Sequence, residues 1–200
     1  MRFKTTPKDL TLWVNDIHAT LKNMHKVAPN AAYAEIRIYA SEVHARTTDR
    51  FIIVDSVLPG EWISEGAAPA FETVTYINLP NWELLKQNVK RVQGIEFNPN
   101  GLDLFEHIAD EKPWLTIAGD EPKMVNYPPL DNLIKGIEEA KPEISTDGTR
   151  DGFRPELVKH IKNCVIEPHS IGMHRAGFLH TTPPRVTGII MPVRLPQKEL

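Results

Sequence analysis

The chain has 200 residues, 41% of them hydrophobic and 24% charged, with a formal net charge of −3. That length holds one large domain or two small ones with ample core, and the composition excludes a disordered chain. A single cysteine, Cys164, excludes an internal disulfide framework and fits a reducing cytosol; no apolar leader opens the chain and no run is long enough to span a bilayer, so a cytoplasmic location is expected.

Helical periodicity comes first. From about Lys8 to Lys26, Trp13, Ile17, Leu21 and Met24 recur at the spacing of one buried stripe. Strand-like runs follow at Ala34–Ala40, Glu42–Thr47 and Phe51–Leu58, alternating or β-branched. A further run at Phe71–Leu79 leads into a second helix, expected from Asn81 as N-cap to Gln93, with Leu85, Val89 and Val92 on its buried face. Behind it lie runs at Gly94–Asn98, Leu102–Phe105, Trp114–Ala118 and Met124–Tyr127. A third helix is expected from Pro155, burying Leu157, Ile161 and Cys164, followed by runs at Val165–Glu167, Ile171–Arg175 and Val186–Arg194. The expected helix starts at 8, 81 and 155 are 73 and 74 residues apart. A helix followed by short strands, repeated, argues for an α+β fold with helices packed on antiparallel sheets.

The last strand, Gly188-Ile189-Ile190-Met191-Pro192-Val193-Arg194-Leu195, has two readings. It is a core strand that happens to come last, or an apolar surface kept open beside Pro192, which cannot donate to a ladder. Charge is unevenly shared: the three helical segments carry +1, +2 and +2, leaving −8 for the remainder. His18, Lys22 and Lys26 follow one ridge, and Lys86 and Lys90 another. Taken helix by helix, such basic faces read as solvated and matched to the helix dipole; three basic helical segments inside an acidic chain make a phosphate-facing surface a fair competitor.

Three strings resemble the bacterial sliding clamps, the DNA polymerase III β subunit family. Val43-His44-Ala45-Arg46-Thr47-Thr48-Asp49-Arg50-Phe51-Ile52-Ile53 resembles that family's strand–turn–strand, with Ile52 where the family often has an arginine. Tyr127-Pro128-Pro129-Leu130-Asp131-Asn132-Leu133-Ile134 is similar to its aromatic-proline segment, and Met191-Pro192-Val193-Arg194-Leu195 to its C-terminal signature. The resemblance implies a DNA-clamp-like repeat of helix and strands, with a clamp domain over residues 1–135, a polar linker over 136–153 and half a domain over 154–200. It implies a non-catalytic processivity factor of DNA replication, with the helices lining a DNA hole.

The implied peptide pocket comprises Thr48, Arg50, Phe51, Ile53, Pro128, Leu133, Met191, Pro192, Val193, Arg194 and Leu195. Its partners would be a DNA polymerase and a clamp loader carrying linear motifs. The implied contacts to double-stranded DNA are Lys22, Lys26, Lys86, Lys90, Arg91, Lys159 and Lys162. A full clamp has three domains and this chain about one and a half, so a ring would require a homo-oligomer, four copies if each brings three of the twelve helices such a ring uses. A clamp mimic that binds the peptides without encircling DNA is the alternative.

Neither a cofactor nor a metal is expected. Cys164, His169, His174 and His180 match no standard zinc spacing, and a metal-dependent hydrolase built on them is the distant rival. Asp103, Glu106, His107, Asp110 and Glu111 read as a solvated acidic turn before a cation site. No phosphate-binding loop, dinucleotide fingerprint or nucleophile elbow occurs.

Overall fold

The computed structural model describes residues 2–63, 73–98, 115–118, 132, 135, 151–171 and 174–194. Among them are two α-helices, α1 (Pro7–Val27) and α2 (Leu79–Asn88). The strands are β1 (Arg2–Lys4), β2 (Tyr33–Ile38), β3 (Val43–Thr48), β4 (Ile52–Leu58), β5 (Glu61–Trp62), β6 (Thr73–Asn78) and β7 (Gly94–Asn98), then β8 (Leu115–Ala118), β9 (Asp151–Gly152), β10 (Cys164–Ile171), β11 (His174–Thr181), β12 (Val186–Ile190) and β13 (Val193–Arg194). An antiparallel seven-stranded sheet has the order β10-β11-β12-β4-β3-β2-β6, and a four-stranded sheet the order β5-β1-β7-β8, with β7 and β8 parallel. Among the described residues β13 pairs only with β9. The fold is α+β, as expected, and no helix among the described residues is long and apolar enough to cross a membrane.

Local chemistry sets the helix ends. The Thr6 hydroxyl caps α1 by accepting from the Asp9 N–H at 3.1 Å, with Pro7 in the first turn. The expected stripe is the buried one: Trp13, Ile17, Leu21 and Met24 all lie in the core, each fully buried side chain contributing about 1.5–3 kcal/mol. The Trp13 indole N–H donates to the Ser56 carbonyl at 2.9 Å, and that of Trp82 in α2 donates to the Val14 carbonyl at 3.2 Å. The two indoles are 5.2 Å apart, so the helices are joined through paired tryptophans whose polar atoms are satisfied.

Three expectations are corrected. The cap of α2 is Asn78, whose side-chain oxygen accepts from the Asn81 N–H at 2.9 Å, so the helix starts and ends earlier than the sequence suggests. Val89 and Val92 are nevertheless buried, from the turn after the helix. The third helix is absent: Pro155–Leu157 forms a single 3-10 turn, and Asn163, at φ 57°, ends the segment before β10 begins at Cys164. So few residues cannot sustain a helix. Its apolar spacing still buries Ile161 and packs Leu157 and Cys164 against the core. Finally, Ile171 ends β10 while His174 and Arg175 open β11, so the run expected as one strand is shared between two paired strands. The segments 102–105 and 124–127 lie outside the described residues.

β12 pairs with β4 of the same chain, from Val186↔Ser56 to Ile190↔Ile52, so residues 164–190 continue the sheet built by residues 33–78. The backbones approach closely: a Cβ on Gly188 would fall 2.2 Å from the Ile53 carbonyl oxygen, which only glycine avoids. Under α1, the Asp16 carboxylate, 1% exposed, pairs with the Arg185 guanidinium and accepts from the Ser56 hydroxyl at 3.0 Å. Replacing Asp16 with alanine leaves that guanidinium without its counter-charge and is expected to lower the unfolding free energy by about 3 kcal/mol. Urea titration checks this; the expectation fails if the loss is negligible, and Arg185→Met in the same background should restore part of it.

Candidate peptide-binding patch and basic helix face

The β3–β4 turn is held by its own polar side chains. Asp49 is buried; one carboxylate oxygen accepts from the N–H groups of Phe51 and Ile52, both at 3.1 Å, and the other from the Asn23 amide of α1 at 3.3 Å. The Thr48 hydroxyl donates to the Ile52 carbonyl at 2.9 Å and accepts from the Arg50 N–H at 3.3 Å. These bonds require a left-handed residue between them, and that residue is Arg50, at φ 78°. Turns of this kind usually place glycine or asparagine there; here an exposed guanidinium-bearing side chain takes the position.

Beyond the turn, the Met191 N–H donates to the Phe51 carbonyl at 2.8 Å, extending the β12–β4 register by one pair. Phe51 and Met191 are each 48% exposed. Ile53 faces Ile189, which faces Phe178 on β11, so the apolar surface runs down the side of the sheet away from α1. Both readings of the terminal strand therefore hold in part. Gly188, Ile189 and Ile190 are sheet interior, and the open surface begins at Met191. Strand pairing breaks at Met191-Pro192, so the expected single strand 186–194 is two.

The structure thus brings Thr48, Arg50, Phe51, Ile53, Met191 and the half-buried Pro192 to one place. Val193 and Arg194 are placed by backbone: their pairing with Gly152 and Asp151 ties the segment preceding Arg154 to this end of the sheet. Pro128, Leu133 and Leu195 lie outside the described residues. Ile52 points into the core, so it contributes nothing to the rim. Sequence reasoning missed Arg154, whose guanidinium carbon sits 5.6 Å over the Phe51 ring. It missed Asn23 as well. Neither carries a motif; only the fold brings them to the turn.

On the helical side, Lys22, Lys26, Lys86, Lys90, Arg91, Lys159 and Lys162 are all exposed. Lys86 donates to His18 Nδ1 at 3.1 Å across the α1–α2 contact, while His18 Nε2 lies 3.7 Å from Glu83. Burial, then the Lys86 and Lys22 charges, lower the His18 pKa, so its ring is a neutral acceptor for the ammonium. Beside it His160 donates to the Asp16 carbonyl at 3.1 Å, and burial pushes its pKa down to about 4 against the pull of the Asp49 carboxylate, with the Lys159 charge adding to the fall. Lys22, Lys86 and Lys159 thereby gather around two neutral imidazoles. Lys162 lies in a turn where a helix was expected, Lys90 and Arg91 in the turn after α2, and Lys26 in the last turn of α1.

The Cys/His string is divided by strand alternation. Cys164 packs against the core, and burial raises its thiol pKa to about 11. His169 and His180 flank Phe178 on the other side, at 5.5 and 5.7 Å between rings, with Glu167 3.2 Å from His180. Among the described residues no group of three or more histidine, cysteine, aspartate or glutamate side chains is placed to hold a metal ion. The acidic cluster at 103–111 lies outside them.

No protein-family model matches the chain, and no curated protein does. Solved structures do. The chain is similar to the DNA polymerase III subunit beta from Pseudomonas aeruginosa, with a TM-score of 0.55 at 11% identity over 98% of this chain and 67% of that one. It is similar to the Helicobacter pylori beta clamp bound to a DNA ligase peptide, at 0.56 and 11% over 100% and 70%, and to the DNA polymerase sliding clamp from Bacillus subtilis, at 0.51 and 12% over 98% and 64%. The chain spans about two thirds of the length of each of these proteins. At such identities the likeness establishes a clamp-like fold.

His160 makes stability pH-dependent. Its pKa is lowered on folding, so below about 6.5 the unfolded chain takes up a proton that the native chain refuses until about 4. The neutral form's contribution is present above that window and is lost as pH falls through it. His160→Gln keeps a donor for the Asp16 carbonyl but cannot titrate. Its urea midpoint should therefore fall less than the parent's between pH 7 and pH 4.5; parallel declines would refute the assignment.

Proposed function

We propose that this protein is a sliding-clamp-type processivity factor of DNA replication, without catalytic activity. It would bind duplex DNA through the basic helical side and replication proteins, a polymerase and a clamp loader among them, through the apolar patch. The observation that carries this reading is the exposed Phe51–Met191 pair: two apolar side chains from distant parts of the chain, side by side at the edge of a buried ladder. A clamp-like fold, and a peptide held by the Helicobacter pylori protein that shares it, support the same reading. Residues 1–135 would form one clamp domain, 136–153 a linker and 154–200 half a domain. The homo-oligomer needed to encircle DNA would pair the strands that end the seven-stranded order among the described residues, β6 of one copy with β10 of the next.

Truncating both patch residues tests peptide capture. Phe51→Ala with Met191→Ala should leave the thermal midpoint nearly unchanged, since both side chains are half exposed, while weakening a labelled clamp-motif peptide by about 1–3 kcal/mol, or roughly fivefold to over a hundredfold. Undiminished affinity in the folded double variant would sink the assignment.

The clamp mimic is the second reading, favoured by a patch that a single chain assembles, with Met191 beside Phe51. DNA separates the two. A processivity factor should bind a labelled duplex without sequence preference, with affinity falling steeply as salt rises, and should be retained on circular but not on linear DNA. Lys22→Glu with Lys86→Glu should weaken binding and flatten the salt response. Absence of salt-sensitive binding promotes the mimic.

A further inference from the structure

Where α1 meets α2, three lysines gather around a histidine. Lys86 of α2 donates to His18 Nδ1 at 3.1 Å, Lys22 follows His18 by one helical turn, and Lys159 comes from the turns before β10. Among the described residues no carboxylate pairs with any of these lysines; Glu83 faces the ring instead, 3.7 Å from Nε2 and 45% exposed. On the remaining side stands His160, which donates to the Asp16 carbonyl and feels the Asp49 and Lys159 charges, while the Asp16 carboxylate is matched by Arg185. An ammonium in contact with an imidazole nitrogen is tolerated only while the ring is neutral, since two cations in contact repel. Burial, then Lys86 and Lys22, hold the ring neutral against the pull of Glu83.

Resting on the reading of the helical side as a duplex-binding face, we propose that His18 is a further contact to duplex phosphate, and that it becomes a cation as the phosphate arrives. A phosphate drawn in by Lys22, Lys86 and Lys159 brings the negative charge this cluster lacks and reverses the balance that keeps the ring neutral. The ring takes one proton from solvent at Nδ1, the atom that had accepted from Lys86. That nitrogen turns from acceptor into donor, and the Lys86 ammonium is freed; both then donate to phosphate oxygens, while the Nε2–H still faces Glu83. A phosphodiester does not titrate near neutral pH, so a proton taken up on binding goes to the protein. Affinity is therefore full below the free ring's pKa, which lies under 6.5, and falls as pH rises through the higher value of the bound ring.

The test measures affinity for a labelled duplex of mixed sequence, at fixed salt, at pH 6 and at pH 8. His18→Gln keeps an acceptor for Lys86 and a donor toward Glu83 but cannot titrate. The ratio of the two affinities should be about fivefold larger for the parent than for H18Q, and each protein is compared with itself, so a loss common to both pH values does not enter. His180→Gln, on the far side of the sheet, controls for overall charge and should keep the parent's ratio. Binding heats at pH 7 in two buffers of unlike ionisation enthalpy should show proton uptake by the parent and less by H18Q. Equal ratios in the parent and H18Q overturn the inference and leave the duplex-binding reading standing, and absence of proton uptake by the parent does the same whatever the variant shows. A ratio that falls as far in H180Q makes the effect one of overall charge and overturns it too. No salt-sensitive duplex binding at either pH overturns both readings.

Discussion

Asp16 is a carboxylate within the buried surface of α1, and its pairing with Arg185 is the contact on which the molecular arrangement turns. A helix that packs Trp13, Ile17 and Leu21 against a sheet has no use for a charge there unless something meets it. Ser56 of β4 offers a hydroxyl, and Arg185, just before β12, offers the charge. The Arg185 carbonyl in turn accepts from the Val57 N–H at 2.8 Å, setting the register in which Val186–Ile190 lies beside β4. An apolar pair at this place would bury more surface, but it would not say which residue belongs opposite which. The pairing also places the residues beyond Ile190, since Met191 reaches Phe51 only in that register.

The two sides of the sheet share parts. Asp49, which organises the turn before Phe51, also accepts from Asn23 of α1 and contributes to the charge felt by His160. One helix therefore carries the basic ridge on its surface and braces the patch-bearing turn at its end. On the far side of the sheet, Asp55 accepts from Arg46 at 2.6 Å and lies 2.9 Å from His44. Burial works against protonation of His44, but Asp55 and Glu42 outweigh it and raise its pKa. A polar seam thus runs beside the apolar one, marking its border.

Much of the fold is legible in the chain, for a physical reason. Where one periodicity covers several turns or a whole strand, as in α1 or β7, burial and propensity agree and the element is readable from residues alone. The stripe at Leu157 and Ile161 names buried residues correctly but misnames their conformation, because a 3-10 turn followed by irregular turns can bury the same spacing as a helix. β1 and β5 are too short for any period, and they exist because Phe3 and Trp62 stack edge to face at 4.9 Å. At the site, Thr48, Arg50, Phe51, Ile53 and Met191 can be named from motif-like strings. Arg154, His160, Asp16 and Arg185 cannot, since their roles come from partners far away in sequence.

Arg50 has a consequence at the level of the codon. Every arginine codon becomes a glycine codon through a single base change, and at this turn glycine relieves a left-handed backbone without disturbing one hydrogen bond of the loop. Drift guided by stability alone would make that replacement readily, so the position sets two pressures against each other at a site one mutation wide. Sequences related to this chain can accordingly be sorted at this position: those with glycine have yielded to the backbone, and those with arginine have kept a charge at the tip of the turn.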